Sequence, residues 1–192
     1  MKKIFISSII LALVSSLLYT QASNETDAAG FLAYKAIIAA RDDESEYRVW
    51  NTITRREMLK ITMNISGKTV PETCGTQHSF ADLSEDDWGC KYADAAIRSG
   101  FIAKNDNYRP DDNVSLVEAL KLIMQAKGIE REENSDWKLG YVNTGYSEGL
   151  LENKFRNYDT AALRWWIFIV VQNAITSSDE DMIDLIDFFF WN

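Results

Sequence analysis

Apolar residues recur along the chain in stretches separated by polar and glycine-containing breaks, and their spacing predicts helices almost throughout. Phe31, Leu32, Tyr34, Ile37 and Ile38 mark a first helix over 28–40 that stops at the polar run Arg41-Asp42-Asp43-Glu44-Ser45-Glu46. Tyr47 to Asn51 reads as a short extended piece or loop. Thr54, with Glu57 three residues on, makes a capping box. Met58, Ile61 and Ile65 then fall at three- and four-residue intervals, so an amphipathic helix runs to about Ser66 and closes at Gly67. Residues 67–87 form a long loop, followed by a helix marked by Trp88, Tyr92, Ala95, Ala96 and Ile97 that ends at Ser99-Gly100, where glycine suits a left-handed C-cap. Ser115 and Glu118 repeat the capping box ahead of Leu116, Leu120, Ile123 and Met124, and Gly128 ends that helix. Trp137, Tyr141 and Val142 predict a shorter helix before Gly145 or Gly149. Asp159 or Thr160 is expected to open the last long helix, through the apolar run Trp165 to Val171. A buried strand would give the same run, but the flanks Ala161-Ala162 and Gln172-Asn173-Ala174 favour a central helix. At least one of Trp165 and Trp166 is expected to be buried. The tail, residues 177–192, predicts a further helix capped by Ser178, with Met182, Ile183, Leu185, Ile186 and Phe189 on its packing side.

The opening stretch has a different character. Lys2 and Lys3 precede an apolar run from Ile4 to Leu18, and Thr20-Gln21-Ala22 offers small residues where export signals are cut. Residues 1–22 therefore read as a signal peptide, with the mature chain starting near Ser23. The run is short of the roughly 20 residues that a membrane crossing needs, so no stable insertion is expected after cleavage. The formal charge of the 192 residues is -9, and it becomes -11 without Lys2 and Lys3. Such an acidic surface disfavours nucleic acid and anionic lipid as partners. Export also bears on Cys74 and Cys90, the two cysteines. Oxidising surroundings favour pairing them around a loop of about 15 residues; two free buried thiols or half a metal site are the alternatives.

Three stretches share an order: an aromatic-started helix, a glycine or polar break, an aromatic followed by arginine, and a capped amphipathic helix. The aromatic-arginine pairs are Tyr47-Arg48, Tyr108-Arg109 and Phe155-Arg156. A helix-loop-helix unit cannot bury its own apolar face, so three units, about 28–66, 80–127 and 137–175, are expected to pack into one all-α domain over 23–176, with the tail helix packed on it. The middle unit carries Phe80-Ala81-Asp82-Leu83, Asp87-Trp88, Tyr92-Ala93 with Ala95-Ala96, Gly100-Phe101-Ile102, Tyr108-Arg109-Pro110-Asp111-Asp112 and Val114-Ser115 through Glu118-Ala119, while Ile53-Thr54-Arg55-Arg56-Glu57 lies upstream. In these motifs the chain resembles the S-layer homology family. The resemblance implies a pseudo-threefold helical bundle whose inter-unit grooves attach exported proteins to cell-wall polysaccharide. Arg55 matches the family's motif arginine. Leu116 holds that place in the second unit, and Asp159-Thr160-Ala161-Ala162, aligned with it in the third, lacks an arginine.

Candidate residues follow from both readings. Arg55, and more weakly Arg56, stand in the first turn of a helix, where a cation opposes the dipole unless an anionic sugar substituent or a carboxylate faces it. Trp88 and Trp137 each open a helix, as core or inter-unit packing or as sugar-stacking platforms. Arg48, Arg109 and Arg156 recur in register and are expected to lock turns by pairing with acids or carbonyls. No catalytic constellation, metal site or cofactor motif emerges: His78 has no recognised nucleophile beside it, and Asp86-Asp87 and Asp111-Asp112 lack the alternating ligands of a calcium loop. The expected role is a non-catalytic envelope module, periplasmic or on the cell surface, that binds an anionic cell-envelope polysaccharide. The alternative is a module that has lost glycan binding and contacts another envelope protein.

Overall fold

A computed structural model describes residues 25–75 and 80–176. Over these residues the chain is all-helical: α1 (Glu25–Tyr34), a single 3-10 turn (Glu44–Tyr47), α2 (Arg55–Ser66), α3 (Cys90–Arg98), α4 (Leu116–Ala126), α5 (Trp137–Ser147) and α6 (Arg164–Ile175). The expected export signal, His78 and the expected tail helix lie outside the described residues. No helix among the described residues is long and apolar enough to cross a membrane.

Local chemistry sets most of the boundaries. At the start of α2 the Thr54 hydroxyl accepts the Glu57 N–H while the Glu57 carboxylate accepts the Thr54 N–H, and Ser115 and Glu118 repeat the same reciprocal pair at α4. Gly67, at φ 64°, takes the left-handed position that closes α2. Several boundaries differ from expectation: α1 starts at Glu25 and not at residue 28, and α3 at Cys90 and not at Trp88. The first helix ends at Tyr34 rather than near residue 40, because Ala36 turns left-handed (φ 57°) and the N–H groups of Ile37 and Ile38 fold back to the Leu32 carbonyl, leaving Ile37 buried. The last helix starts at Arg164 and not at Asp159 or Thr160, because residues 161–163 are held in extended pairing with two other segments.

That pairing is the centre of the molecule. The segments preceding α2, α4 and α6 form three isolated antiparallel bridges: Thr52 with Leu163, Thr54 with Asn113, and Ser115 with Ala161. Their hydrogen bonds run in a closed cycle: Ile53 N–H to Ala162 O (3.3 Å), Ala162 N–H to Val114 O (2.9 Å), and Val114 N–H to Ile53 O (3.1 Å). Each cycle residue is buried. The cycle also serves the helix starts, whose first N–H groups have no partner within the helix. Arg55 and Arg56 donate to the carbonyls of Asp112 and Pro110, Leu116 and Val117 to Thr160 and Tyr158, and Arg164 and Trp165 to Asn51 and Val49. Leu163 provides no side-chain cap for α6, and these backbone acceptors stand in its place.

Helix packing follows the same cyclic order. The first helix of each unit lies against the second helix of another: α1 on α6, α3 on α2, and α5 on α4. Further contacts join α2 to α4 and α4 to α6. One cluster of buried apolar side chains includes Phe31, Met58, Leu120 and Phe168, with Trp165 and Trp166 packed against it as half-buried residues. Neither tryptophan is fully buried, against expectation, because both stand in the first turn of α6 at the edge of the cluster. Cys74 and Cys90 form a disulfide with Cα atoms 5.4 Å apart, tying the long loop to the first residue of α3. The Asp94 carboxylate accepts the Gly75 N–H at 3.0 Å and adds a second tie.

Candidate functional site

The hydrogen-bond cycle makes Ile53, Val114 and Ala162 equivalent, and with them Arg55, Leu116 and Arg164, the first residues of α2, α4 and α6. The third unit therefore does carry an arginine at the motif place. It was hidden because alignment on a threonine cap selects Thr160, whereas the backbone places Leu163 at the cap.

Each of these arginines crosses to the capping glutamate of the next helix in the cycle. Arg55 Nη1 donates to Glu118 Oε1 at 3.0 Å, and its Nε donates to the Tyr108 carbonyl at 3.0 Å. Its guanidinium also lies 5.1 Å from the centre of the Tyr108 ring, and the Tyr108 hydroxyl returns a hydrogen bond to the Arg55 carbonyl at 2.8 Å. Arg164 Nη2 pairs with Glu57 in the same way. Each glutamate thus serves two masters with its two oxygens, one holding the cap and the other the arginine. At the third junction the corresponding positions are Leu116 and Trp166, and no ion pair spans it among the described residues.

Two grooves flank the two pairs, and their linings correspond. One, between the first and third units, contains Ile37, Tyr47, Ile53, Glu57, Lys60 and Arg164. The other, between the first and second, contains Phe101, Tyr108, Val114, Glu118, Lys121 and Arg55 at the equivalent places. The first groove adds Arg41, Arg48 and Glu46, giving four cations against two carboxylates in a chain of formal charge -9. In the second, Asn105 and Asn107 are the polar residues of the loop wall. At the third junction the glutamate and lysine places hold Trp166 and Ile169, both half-buried, and the charged set has become apolar.

Electrostatics in the grooves follow from these contacts. Burial alone would raise the Glu57 and Glu118 carboxyls, but the cap N–H groups and the facing arginines hold both below the ordinary glutamate value. Burial pushes the Tyr108 hydroxyl far upward, so it stays protonated and donating. Asp82 is likewise held low despite partial desolvation: its two carboxylate oxygens accept the N–H groups of Tyr108 and Arg109, each at 2.7 Å. That contact explains why the phenylalanine-alanine-aspartate segment and the tyrosine-arginine turn occur together.

The remaining expected residues separate by position. Arg56 is committed elsewhere: it pairs with Asp87 and Asp111 and lies 5.8 Å from the Trp88 ring centre. Trp88 itself precedes α3 by two residues, is 46% exposed, touches Tyr92 edge-on and lines the first groove. Trp137 opens α5 behind the Asp136 cap and is 40% exposed, with the ammonium groups of Lys121 and Lys138 near its ring. Neither indole is a core residue. The three recurrent arginines do not share a role. Arg109 takes a left-handed backbone (φ 62°) and pairs with Asp112 through Nε at 2.6 Å. Arg48 is also left-handed (φ 48°), but its side chain lines the first groove and makes no ion pair among the described residues. Arg156 is exposed and likewise makes none there; Asp159, three residues on as Asp112 is from Arg109, pairs with Lys138 instead. Lys60, Lys121, Arg41 and Arg164 were not singled out by sequence; the recurrence of lysine three residues after each capping glutamate was the available signal.

An all-helical module closed through cyclic inter-unit contacts, with paired grooves at its junctions, is the class that this geometry defines. Residues 79–120 match the family model of the S-layer homology domain. A middle cell wall protein of Brevibacillus brevis is 25% identical over 148 residues, which takes in 74% of this chain. The matched stretch is 14% of that protein's length. The two findings together support an S-layer homology assignment for this chain.

Proposed function

We propose that the chain is a non-catalytic, exported module of the cell envelope that binds an anionic wall or surface polysaccharide in its inter-unit grooves. The observation that carries this reading is the repeated groove set of arginine, glutamate, lysine and tyrosine, found twice and flanked by further cations in the groove around Arg164. A pseudo-threefold arrangement of the units is the reading that the cyclic contacts support. The name of the Brevibacillus brevis relative and the S-layer homology match agree with an envelope location. An anionic substituent entering a groove has to share Arg164 or Arg55 with the glutamate already paired to it, so Lys60 and Lys121, neither in an ion pair among the described residues, supply the further charge beside each pair.

A second reading is favoured by one observation. Both motif arginines are already neutralised by a carboxylate, and the third junction holds no charged pair among the described residues. These features suit a scaffold that contacts another envelope protein and no longer binds glycan. Co-sedimentation of the chain with isolated wall material separates the two. Glycan binding predicts that Lys60→Ala and Arg164→Ala each release the chain from the pellet, with circular dichroism unchanged. Retention of both variants on protein-stripped walls contradicts it, and loss of wild-type binding on stripping the wall proteins supports the second reading.

A further inference from the structure

Trp50 is the most exposed large apolar side chain among the described residues, at 65%. Its ring stands against Trp165, with centroids 6.1 Å apart and planes at 51°. The backbone beneath is fixed: the Asn51 N–H closes a turn on the Arg48 carbonyl, and the Val49 and Asn51 carbonyls accept the N–H groups of Trp165 and Arg164 at 2.8 and 2.9 Å. By the same register, Trp50 occupies the place held by Asp111 and Asp159 in the other two units. Those aspartates pair with Arg56 and Lys138. Where the other two units have a surface ion pair, the first has an outward-standing Trp50 resting on the half-buried Trp165, at the junction whose groove carries Arg48 and Arg164.

We propose that Trp50 and Trp165 form a stacking platform for a sugar ring of the same polysaccharide, whose anionic substituent enters the adjoining groove at Arg48 and Arg164. This rests on the glycan-binding reading above and adds a subsite to it. A pyranose presents one face of C–H groups, which suits a rigid indole, and its polar rim stays in water. The occupant is a sugar and not a second copy of the chain, because two partly covered indoles fall well short of the roughly 800 Å² per partner that a stable protein interface buries. The surroundings are also cationic, which complements an anionic glycan and repels an identical cationic rim.

The test uses the full chain and purified wall polysaccharide of Brevibacillus brevis, with affinity read by calorimetry and oligomeric state by sedimentation. Trp50→Ala is expected to weaken binding by about three- to tenfold, the range for losing one aromatic contact, with an unchanged melting midpoint. Trp50→Phe should retain most of the affinity, which guards against a folding artefact. If Trp50→Ala binds as wild type while Arg164→Ala is weakened, the platform is refuted and the groove reading stands. If the wild-type chain does not bind, both are refuted. A dimer of the wild-type chain that Trp50→Ala dissociates would overturn the assignment of a sugar as occupant.

Discussion

Arg55 and Arg56 are neighbours in sequence with divergent fates, and the difference lies in what each meets across the junction. Arg55 faces the capping glutamate of α4 at the rim of a groove, whereas Arg56 is held between Asp87 and Asp111 under Trp88, its side chain only 15% exposed. Replacing Arg56 by alanine leaves the largely buried Asp87 carboxylate without its cation, while Asp111 stays in water, and is expected to cost about 1–3 kcal/mol in chemical denaturation. The glutamates carry a pH signature. Glu57 and Glu118 are held below the ordinary value of 4.5, so they bind fewer protons folded than unfolded near that pH. Their stabilisation is complete above the unfolded value and disappears as pH falls through the depressed folded values. The melting midpoint should therefore drop as pH is lowered below about 4.5, and the double variant Glu57→Gln/Glu118→Gln should flatten that drop. An equal acid slope in the double variant would contradict this account.

At the scale of elements, the two capping boxes and the left-handed glycine at position 67 were legible because they depend on residues within one turn of chain. The start of α6 was not. Its first N–H groups are satisfied by carbonyls from residues 49 and 51, a partner more than a hundred positions away that local pattern does not reveal. The same tertiary contact hid Arg164 from alignment on a threonine cap. The disulfide was legible as one of three options for Cys74 and Cys90, and the structure selects it. Reduction, or the pair of changes Cys74→Ser and Cys90→Ser, is expected to lower unfolding free energy by about 3 kcal/mol, the loop-closure value for some 15 enclosed residues. A loss below about 1 kcal/mol would show that the Asp94 contact to Gly75 restrains the loop without it.

For the whole molecule, the repeat predicts three interdependent units, and the packing of α1 on α6, α3 on α2 and α5 on α4 is the contact pattern such units would need. What the repeat did not disclose is the small extended hub at Ile53, Val114 and Ala162, since three isolated residue pairs leave no alternation to read. Ile53 is completely buried there, and Ile53→Ala is expected to cost about 2–5 kcal/mol while keeping unfolding a single transition, because all three units share that hub. Two separate melting steps would instead mean that the units fold independently. The hub also dictates that the grooves at Arg55 and Arg164 are alike and that the apolar junction at Leu116 and Trp166 is different. Backbone amide shifts followed during titration with wall polysaccharide test this most directly. Perturbations are expected to gather at Tyr47, Lys60 and Arg164 and at Tyr108, Lys121 and Arg55, and to spare Leu116 and Ile169. Shifts centred on Leu116, Trp166 and Ile169, or none at saturating polysaccharide, would contradict it.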